Sequence, residues 1–256
     1  MKKVTAFVGS ARRKHTYHAV EQFLRNLQSM GDVEYEIVRL IDYQLQPCRG
    51  CKVCFDKGEE SCPLKDDRDL LVEKMMASDG VVFASPNYSF HVSAIMKTFL
   101  DRLAFAFHRP RSFGKTFTSI IAQGIYGGNK IVKYLDFVGK GLGFNTVKGT
   151  CIMTLDPMTE KQQAKIDMAL AAQATRYFAE LEKPGYPVPT LVDLAFFRMA
   201  RTKMRLMLDD GFRDYTYYRD KGWFESDFYY PTRLGPLKKG AGKLFDLTSE
   251  SMTRAR

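Results

Sequence analysis

Apolar residues recur along the chain in short, nearly continuous runs, and segments with helical spacing separate these runs. Runs of this kind, rich in Val, Ile and Phe, are typical of strands buried on both faces. We therefore predict five strands, which are Lys3–Val8, Glu34–Leu40, Gly80–Ser85, Thr116–Gln123 and Asn145–Met153. Strands that alternate with helices form a parallel sheet covered on both faces, because right-handed crossovers place helices there.

The segments between the runs carry apolar residues at spacings of three and four, as amphipathic helices do. The first follows the Gly9-Ser10 loop and has Val20, Phe23, Leu24 and Leu27 on one face. The other predicted helices are Asp69–Ser78, Val92–Phe107, Asn129–Leu142 and Thr159–Glu182. The β-α alternation thus repeats five times, which defines an α/β fold.

The repeat stops at a proline-rich segment, Pro184–Pro189. We predict a domain at 1–183, which includes a cysteine-rich loop at 47–67, and a helical and irregular extension at 184–256. Helical projection of Leu194–Leu208 places Arg198, Arg201 and Arg205 on one stripe. Such a helix could lie on an anionic membrane. We favour the alternative that it packs on its own domain or on a partner subunit. The aromatic tail beyond it could cap a planar ligand or anchor the extension.

Composition narrows the class of protein. Apolar residues make up 45% and charged residues 27%, as in a soluble globular protein. The apolar run at the start is too short for a signal peptide or a membrane span, so we expect a cytosolic protein. The formal charge of +10 favours anionic partners such as phosphorylated cofactors. No nucleic-acid motif accompanies this charge, and we expect no nucleic-acid partner.

Ligands of parallel sheets bind at the carboxyl ends of the strands, so the loops after the first, third and fourth strands are candidates. The first loop, 9–16, opens onto a helix, where unpaired backbone N–H groups and the helix dipole favour a phosphate. A turn with a solvated charge cluster is the alternative. The loop lacks the G-x-G-x-x-G pattern, which argues against a Rossmann dehydrogenase.

Residue patterns in all three loops carry a family resemblance. The second loop reads S-P-x-Y, followed by V-S-A-x-x-K-x-F-x-D-R up to Arg102. The third is the glycine-rich stretch Gln123–Gly128. With the Gly-Ser-x-Arg start of the first loop, residues 1–182 resemble the NADPH-dependent FMN reductase branch of flavodoxin-like proteins. The alternative for Tyr88 and Tyr126 is ordinary loop packing.

The resemblance implies a doubly wound, five-stranded flavodoxin-like sheet of order 2-1-3-4-5 that binds FMN. The chain has His15 where relatives usually have Asn. The residues that the resemblance places at the flavin are Ser10, Arg12, His15, Thr16, Pro86, Asn87, Tyr88, Ser89, Gly124, Tyr126 and Gly127. It nominates no catalytic side chain, because the flavin carries the chemistry. It also implies a homo-oligomer, a dimer or a tetramer.

Four of the five cysteines lie within fifteen residues, as Cys48, Cys51, Cys54 and Cys62. The spacing C-x2-C-x2-C, with a fourth Cys followed by Pro, is typical of an iron–sulfur cluster in bacterial ferredoxins. The run also resembles the cysteine motif of the iron–sulfur flavoproteins, which implies a [4Fe-4S] cluster. Zinc and unligated thiols are the alternatives. Cys151, inside a strand, is interpreted as core packing.

Two functions remain at this point. The first is an FMN-dependent oxidoreductase that takes electrons from NAD(P)H and passes them to a small molecule or a protein. The second is an electron carrier with a [4Fe-4S] cluster that exchanges electrons with a ferredoxin-like partner. His108–Arg111 could meet the 2′-phosphate of NADPH, but we interpret it as a solvated basic loop.

Overall fold

The computed structural model describes residues 1–255, whose contacts group them into two compact units. The first unit contains Met1–Arg49, Leu64–Ala104 and Pro110–Pro184. The second contains Gly50–Pro63, Phe105–Arg109 and Gly185–Arg256. The cysteine-rich loop is therefore divided between the units, and the predicted domain boundary at residue 184 stays a prediction.

The first unit is built around the predicted parallel sheet. Its strands are β1 (Lys2–Val8), β2 (Val33–Arg39), β3 (Gly80–Pro86), β4 (Thr116–Gln123), β5 (Asn145–Thr146) and β6 (Thr150–Met153). The strand order is β2-β1-β3-β4-β5, β6 also pairs with β4, and all pairs are parallel. The doubly wound, flavodoxin-like order 2-1-3-4-5 is confirmed.

The predicted fifth strand is divided, which corrects the continuous Asn145–Met153 prediction. Between β5 and β6, the backbone N–H of Gly149 donates to the Asp136 carboxylate at 3.1 Å. A Cβ on Gly149 would lie 2.1 Å from the Ser119 hydroxyl, so the chain approaches β4 too closely for any other residue. Burial raises the pKa of Asp136, and the Gly149 bond opposes that shift.

Helices cover both faces of the sheet in this unit. They are α1 (His15–Gln28), α3 (Arg68–Met76), α4 (Ala94–Arg102), α6 (Gly128–Gly141) and α7 (Glu160–Leu181). On one face α1 and α7 pack on alternate strand residues such as Val4, Ala6 and Val8. On the other face Phe7 and Phe83 contact Phe99 of α4. Alternation of side chains along β1 therefore supplies both cores.

The second unit is helical. Its helices are α2 (Val53–Asp56), α5 (Ala104–His108), α8 (Leu191–Met207), α9 (Arg213–Asp220) and α10 (Pro236–Arg254). The first residue of α5, Ala104, is grouped with the first unit. The predicted single helix Val92–Phe107 is therefore wrong: it is two helices, α4 and α5, separated at Leu103. The Ser93 side chain caps the start of α4, and the Leu103 N–H bonds the Leu100 carbonyl, which closes its last turn.

Two of the three arginines of the α8 stripe face inward, whereas Arg205 is exposed and pairs with Glu250. Arg198 and Arg201 are both 6% exposed and both bond Asp246 of α10, at 2.8 and 2.6 Å. Their charges are therefore paired inside the unit and do not form a membrane-facing surface. The aromatic residues Tyr218, Trp223 and Phe228 are buried as well, so the tail anchors the extension. No helix of the described chain is long and apolar enough to cross a membrane.

Candidate functional site

The loops after β1, β3 and β4 line one cleft in the first unit, with a volume of about 230 Å³. Eight of the residues expected at the flavin line this cleft, namely Ser10, Arg12, His15, Thr16, Pro86, Asn87, Tyr88 and Gly124. Five further residues line the cleft: Lys14 and Gln123 lie in the predicted loops, whereas Ala122, Thr154 and Asp156 lie outside them. The other three expected residues, Ser89, Tyr126 and Gly127, belong to the same loops but do not line the cleft.

Buried hydroxyl groups hold the first two loops together. The Ser93 hydroxyl donates to the Gly9 carbonyl and accepts from the Met96 N–H, at the start of α4. The Ser93 N–H donates to the Ser85 hydroxyl at 2.9 Å. A Cβ on Gly9 would lie 2.7 Å from the Met96 Cβ, so only glycine allows β1 to end this close to α4.

The first loop presents the open end of α1. No side chain caps this helix, and its first turn contains no acidic residue. Its first N–H groups therefore remain available to an anion, and the helix dipole favours negative charge there. Ser10 and Thr16 are nearly buried, whereas Arg12 and Lys14 are exposed beside them. The loop is held in place by Arg39, which donates to the Ala11 carbonyl at 2.9 Å.

An acidic residue also lines the cleft. The Asp156 carboxylate lies 3.0 Å from Nε2 of His15, so the residue that departs from the family pattern has a partner across the cleft. Neighbouring Thr154 donates its N–H to the Gln123 carbonyl at 2.8 Å. Both residues follow β6, whereas the loops expected to bind a ligand follow three other strands, so no sequence motif pointed to them.

The second loop contains a strained turn. Ser89 and Phe90 have φ angles of 49° and 64°, and the turn is closed by reciprocal bonds between Tyr88 and His91. Two consecutive left-handed residues without glycine are costly and persist only where surrounding contacts fix them, as they often do at functional sites. Tyr88 is 52% exposed at the cleft.

Asn87 joins the second and third loops. Its side-chain amide donates to the Tyr126 carbonyl at 2.9 Å, and its backbone N–H donates to the Ala122 carbonyl at 2.8 Å. Its side-chain oxygen is buried and has no hydrogen-bond partner among the described residues. A buried acceptor without a donor costs free energy, so this atom fits a ligand N–H.

The third loop turns sharply into α6. Gly127 has a φ of 94°, and a Cβ there would lie 2.9 Å from the Phe90 ring. The Gly128 N–H donates to the Gln123 side chain at 2.7 Å. The exposed rings of Phe90 and Tyr126 lie 5.2 Å apart, so the second and third loops also meet through their aromatic side chains.

The residues present fit FMN. The uncapped helix end and the nearby cations suit its phosphate. The orphan oxygen of Asn87 suits an N–H on the flavin ring. The Asp156 carboxylate opposes a bound phosphate, and its pairing with His15 offsets part of that repulsion.

The four clustered cysteines fall partly in each unit. Cys48 is exposed in the first unit, and Cys51, Cys54 and Cys62 are exposed or partly exposed in the second. Within residues 1–255, no three Cys, His, Asp or Glu side chains are grouped as a metal site would require. That these four cysteines hold a cluster therefore stays a prediction.

Carboxylates in the first unit hold the chain just before Cys48. Asp67 accepts the Gln44 N–H at 2.7 Å, and Asp66 accepts the Gln46 N–H at 2.9 Å. Asp66 is also ion-paired to Arg102, at the end of α4, with both side chains 2% exposed. This buried pair fixes the point at which the cysteine-rich loop begins.

The fold and the cleft define a flavodoxin-like α/β flavoprotein. Residues 2–155, more than half of the chain, match the NADPH-dependent FMN reductase family. The chain belongs to this family, whose members are FMN-dependent oxidoreductases. That membership confirms the resemblance seen in the loop motifs.

Individual relatives agree with this class. An iron–sulfur flavoprotein of Archaeoglobus fulgidus is 28% identical over 236 residues, which cover 86% of this chain and 99% of the relative. Among solved structures, RosB with a bound 8-demethyl-8-formylriboflavin 5′-phosphate has a TM-score of 0.60 at 12% identity and 92% coverage of each chain. The NAD(P)H:quinone oxidoreductase from Methanothermobacter marburgensis has a TM-score of 0.56 at 16% identity, over 72% of this chain and 99% of that one. At these identities the two structures show a shared fold.

The half-buried position of Cys151 generates a prediction. Burial raises the pKa of this thiol to about 11, so the native protein keeps a proton that the unfolded chain loses. We expect native Cys151 to react with iodoacetamide at pH 8 about 100-fold more slowly than in urea, because the thiolate fraction falls tenfold per pKa unit. Stability should fall as the pH rises from about 9 to 11. Equal rates in the native and unfolded protein, measured by mass spectrometry, would contradict this account.

Proposed function

We propose that FMN binds in the cleft of the first unit with its phosphate at the open end of α1. The supporting observation is that this helix start has no side-chain cap and no acidic first turn, while Ser10, Arg12 and Thr16 surround it. In this arrangement backbone N–H groups, two hydroxyl groups and a guanidinium bind the phosphate. His15 contributes by holding Asp156.

The flavin ring then lies between the second and third loops. Pro86, Asn87 and Tyr88 form one side of the proposed ring site, with Ser89 completing the turn. Gly124 forms the other side, supported by Tyr126 and Gly127. The Asn87 oxygen accepts from the ring, and the exposed Tyr88 side chain limits access at the rim.

The proposed activity is electron transfer from NAD(P)H to a small-molecule or protein acceptor. Bound FMN would accept the hydride and pass on the electrons, and the protein would hold the flavin in position. Backbone N–H groups of the third loop stabilise negative charge at the near edge of the ring. No side chain of this cleft acts as a catalytic acid or base in the proposal.

Arg12 tests the phosphate position. We expect Arg12→Ala to weaken FMN binding about tenfold, because a charge-assisted hydrogen bond is lost. Riboflavin, which lacks the phosphate, should bind the variant and the wild type equally. Both affinities are measured by fluorescence titration of flavin-free protein. The control is Arg25→Ala, which removes an exposed cation near the far end of α1 and should change neither affinity.

The same samples test the wider proposal. When NADH or NADPH is mixed anaerobically with the FMN-loaded protein, the visible absorbance band of the oxidised flavin should disappear. Equal losses of FMN and riboflavin affinity in Arg12→Ala would contradict the phosphate position. Failure of the wild type to bind FMN would contradict the function.

A second candidate function is an iron–sulfur electron carrier that serves a ferredoxin-like partner. Two observations favour it: the spacing of Cys48, Cys51, Cys54 and Cys62, and the naming of several relatives as iron–sulfur flavoproteins. In this proposal the four thiolates hold a [4Fe-4S] cluster. The protein would work in the cytosol, where such thiols stay reduced.

Iron analysis separates the two functions. Protein purified without oxygen should contain about four iron atoms and four sulfides per chain if the four cysteines hold a cubane cluster. Replacement of Cys51 by Ser should then remove the cluster absorbance, whereas replacement of Cys151 by Ser should not. Absence of iron in the anaerobic wild type would exclude the carrier and leave the FMN reductase.

We also propose that the chain forms a homo-oligomer through its extension. Helices α8 and α10 both carry exposed apolar residues. These residues are Val192, Phe196 and Leu206 on α8, and Leu237, Leu244 and Leu247 on α10. The spacing of four between Val192 and Phe196, and of seven and three among the α10 residues, is typical of helices that pack against other helices.

Light scattering tests this interface. The wild type should have the mass of a dimer or a tetramer, and Leu244→Glu should reduce it, because a buried charge opposes apolar packing. Lys239→Glu, an exposed charge change elsewhere on α10, should leave the mass unchanged. A monomeric wild type, or an unchanged mass in Leu244→Glu, would contradict the proposal.

A further inference from the structure

A fully buried arginine lies at the centre of the second unit. Arg109, directly after α5, has no exposed surface. One of its terminal nitrogens donates to the Cys54 carbonyl at 2.8 Å and to the Glu59 carboxylate at 2.7 Å. The other donates to the Asp214 carboxylate. This guanidinium therefore joins the cysteine segment, Gly50–Pro63, to the carboxyl-terminal extension.

The prediction that His108–Arg111 is a solvated basic loop is wrong for Arg109. A charge without solvent requires close counter-charges, and Glu59 and Asp214 supply them. Asp214 is itself buried, with 3% of its side chain exposed, and it lies in the first turn of α9, where the helix dipole favours a carboxylate. Removal of either counter-charge leaves a buried charge without full compensation.

A second contact holds the same segment. The other oxygen of Asp214 bonds Nδ1 of His108 at 2.6 Å. The His108 ring stacks on Phe55, the residue after Cys54, with ring centres 4.1 Å apart and an interplanar angle of 10°. The Tyr218 hydroxyl of α9 donates to the His108 carbonyl at 3.1 Å. One carboxylate of the extension thus fixes both the carbonyl of Cys54 and the ring beside it.

The backbone of the cysteine segment needs such support. Lys52 has a φ of 62° immediately before α2, and no side chain caps that helix. Gly50 and Gly58 also have positive φ angles. A left-handed, non-glycine residue next to a one-turn helix persists only when its surroundings determine it, because neither element is stable alone.

We infer that Asp214 and Arg109 are positioning residues for the cysteine segment, and that the extension holds the turn that carries Cys54 in one conformation. The inference rests on the proposed function only in that it takes these cysteines to be functional. The buried ion pair between Asp214 and Arg109 thereby holds the turn that carries Cys54 in place before any reaction of its thiol. Asp214 acts through Arg109, which bonds the backbone carbonyl of Cys54.

The test compares two carboxylates of the same unit in the full chain. Asp214→Asn removes one counter-charge of Arg109. The matched control, Asp246→Asn, removes the counter-charge that Arg198 and Arg201 share, and the hydrogen bonds given for Asp246 go to α8. Native amide exchange of residues 53–62 and the alkylation rate of each thiol are measured by mass spectrometry on anaerobically purified protein.

We expect Asp214→Asn to raise both the amide exchange rate of residues 53–62 and the alkylation rate of Cys54 by about tenfold or more, because the free energy of local opening falls. Asp246→Asn should leave both unchanged, and Asp214→Glu should restore most of the protection. If Asp214→Asn does not fold, Glu59→Gln, at a partly exposed carboxylate, should give a smaller rise at the same residues.

Unchanged exchange and alkylation in both Asp214→Asn and Glu59→Gln would overturn the inference. An equal rise in Asp246→Asn would overturn it as well, because the effect would then be general to the unit. FMN affinity, measured on the same samples, should not change in any of these variants. Loss of FMN binding in the wild type would contradict the proposed function but not this positioning role.

Discussion

Hydrogen bonds made by Ser85 and Ser93 bring the ends of two strands together, and the candidate site depends on them. The Ser93 hydroxyl caps α4 and also binds the carbonyl of Gly9, while Ser85 accepts the Ser93 N–H. Backbone groups at the ends of strands have lost their ladder partners, and burial without new partners would be costly. These two hydroxyl groups supply the partners, so the first two loops can approach each other out of water.

Buried guanidinium groups supply hydrogen-bond partners in the irregular segments of the chain, as the two serine hydroxyls do at the strand ends. Arg102 fixes the start of the cysteine-rich loop through Asp66 in the first unit. Arg109 fixes its interior through Asp214 and the Cys54 carbonyl in the second unit. A planar group with five donors spread over three nitrogens can satisfy separate backbone and carboxylate acceptors at once, whereas a lysine has three donors on a single nitrogen. Irregular backbone is thereby held where no sheet or long helix is available.

Sequence patterns predicted the sheet well, because its buried strands are continuous apolar runs. They did not show the division of the fifth strand, which depends on contacts of Gly149 with Asp136 and Ser119 that are distant in sequence. The loop motifs found most of the cleft but missed Asp156, since nothing near it in sequence marks its approach to His15. The arginine stripe made α8 look like a membrane-binding amphipathic helix, and only the position of Asp246 shows that Arg198 and Arg201 face inward.

The most direct measurement is a crystal structure of the protein soaked with FMN. The account predicts the phosphate within hydrogen-bond distance of the N–H groups between Ser10 and Thr16, and the ring between the loops that contain Asn87 and Gly124. A flavin bound elsewhere, or a phosphate that points away from the start of α1, would contradict it.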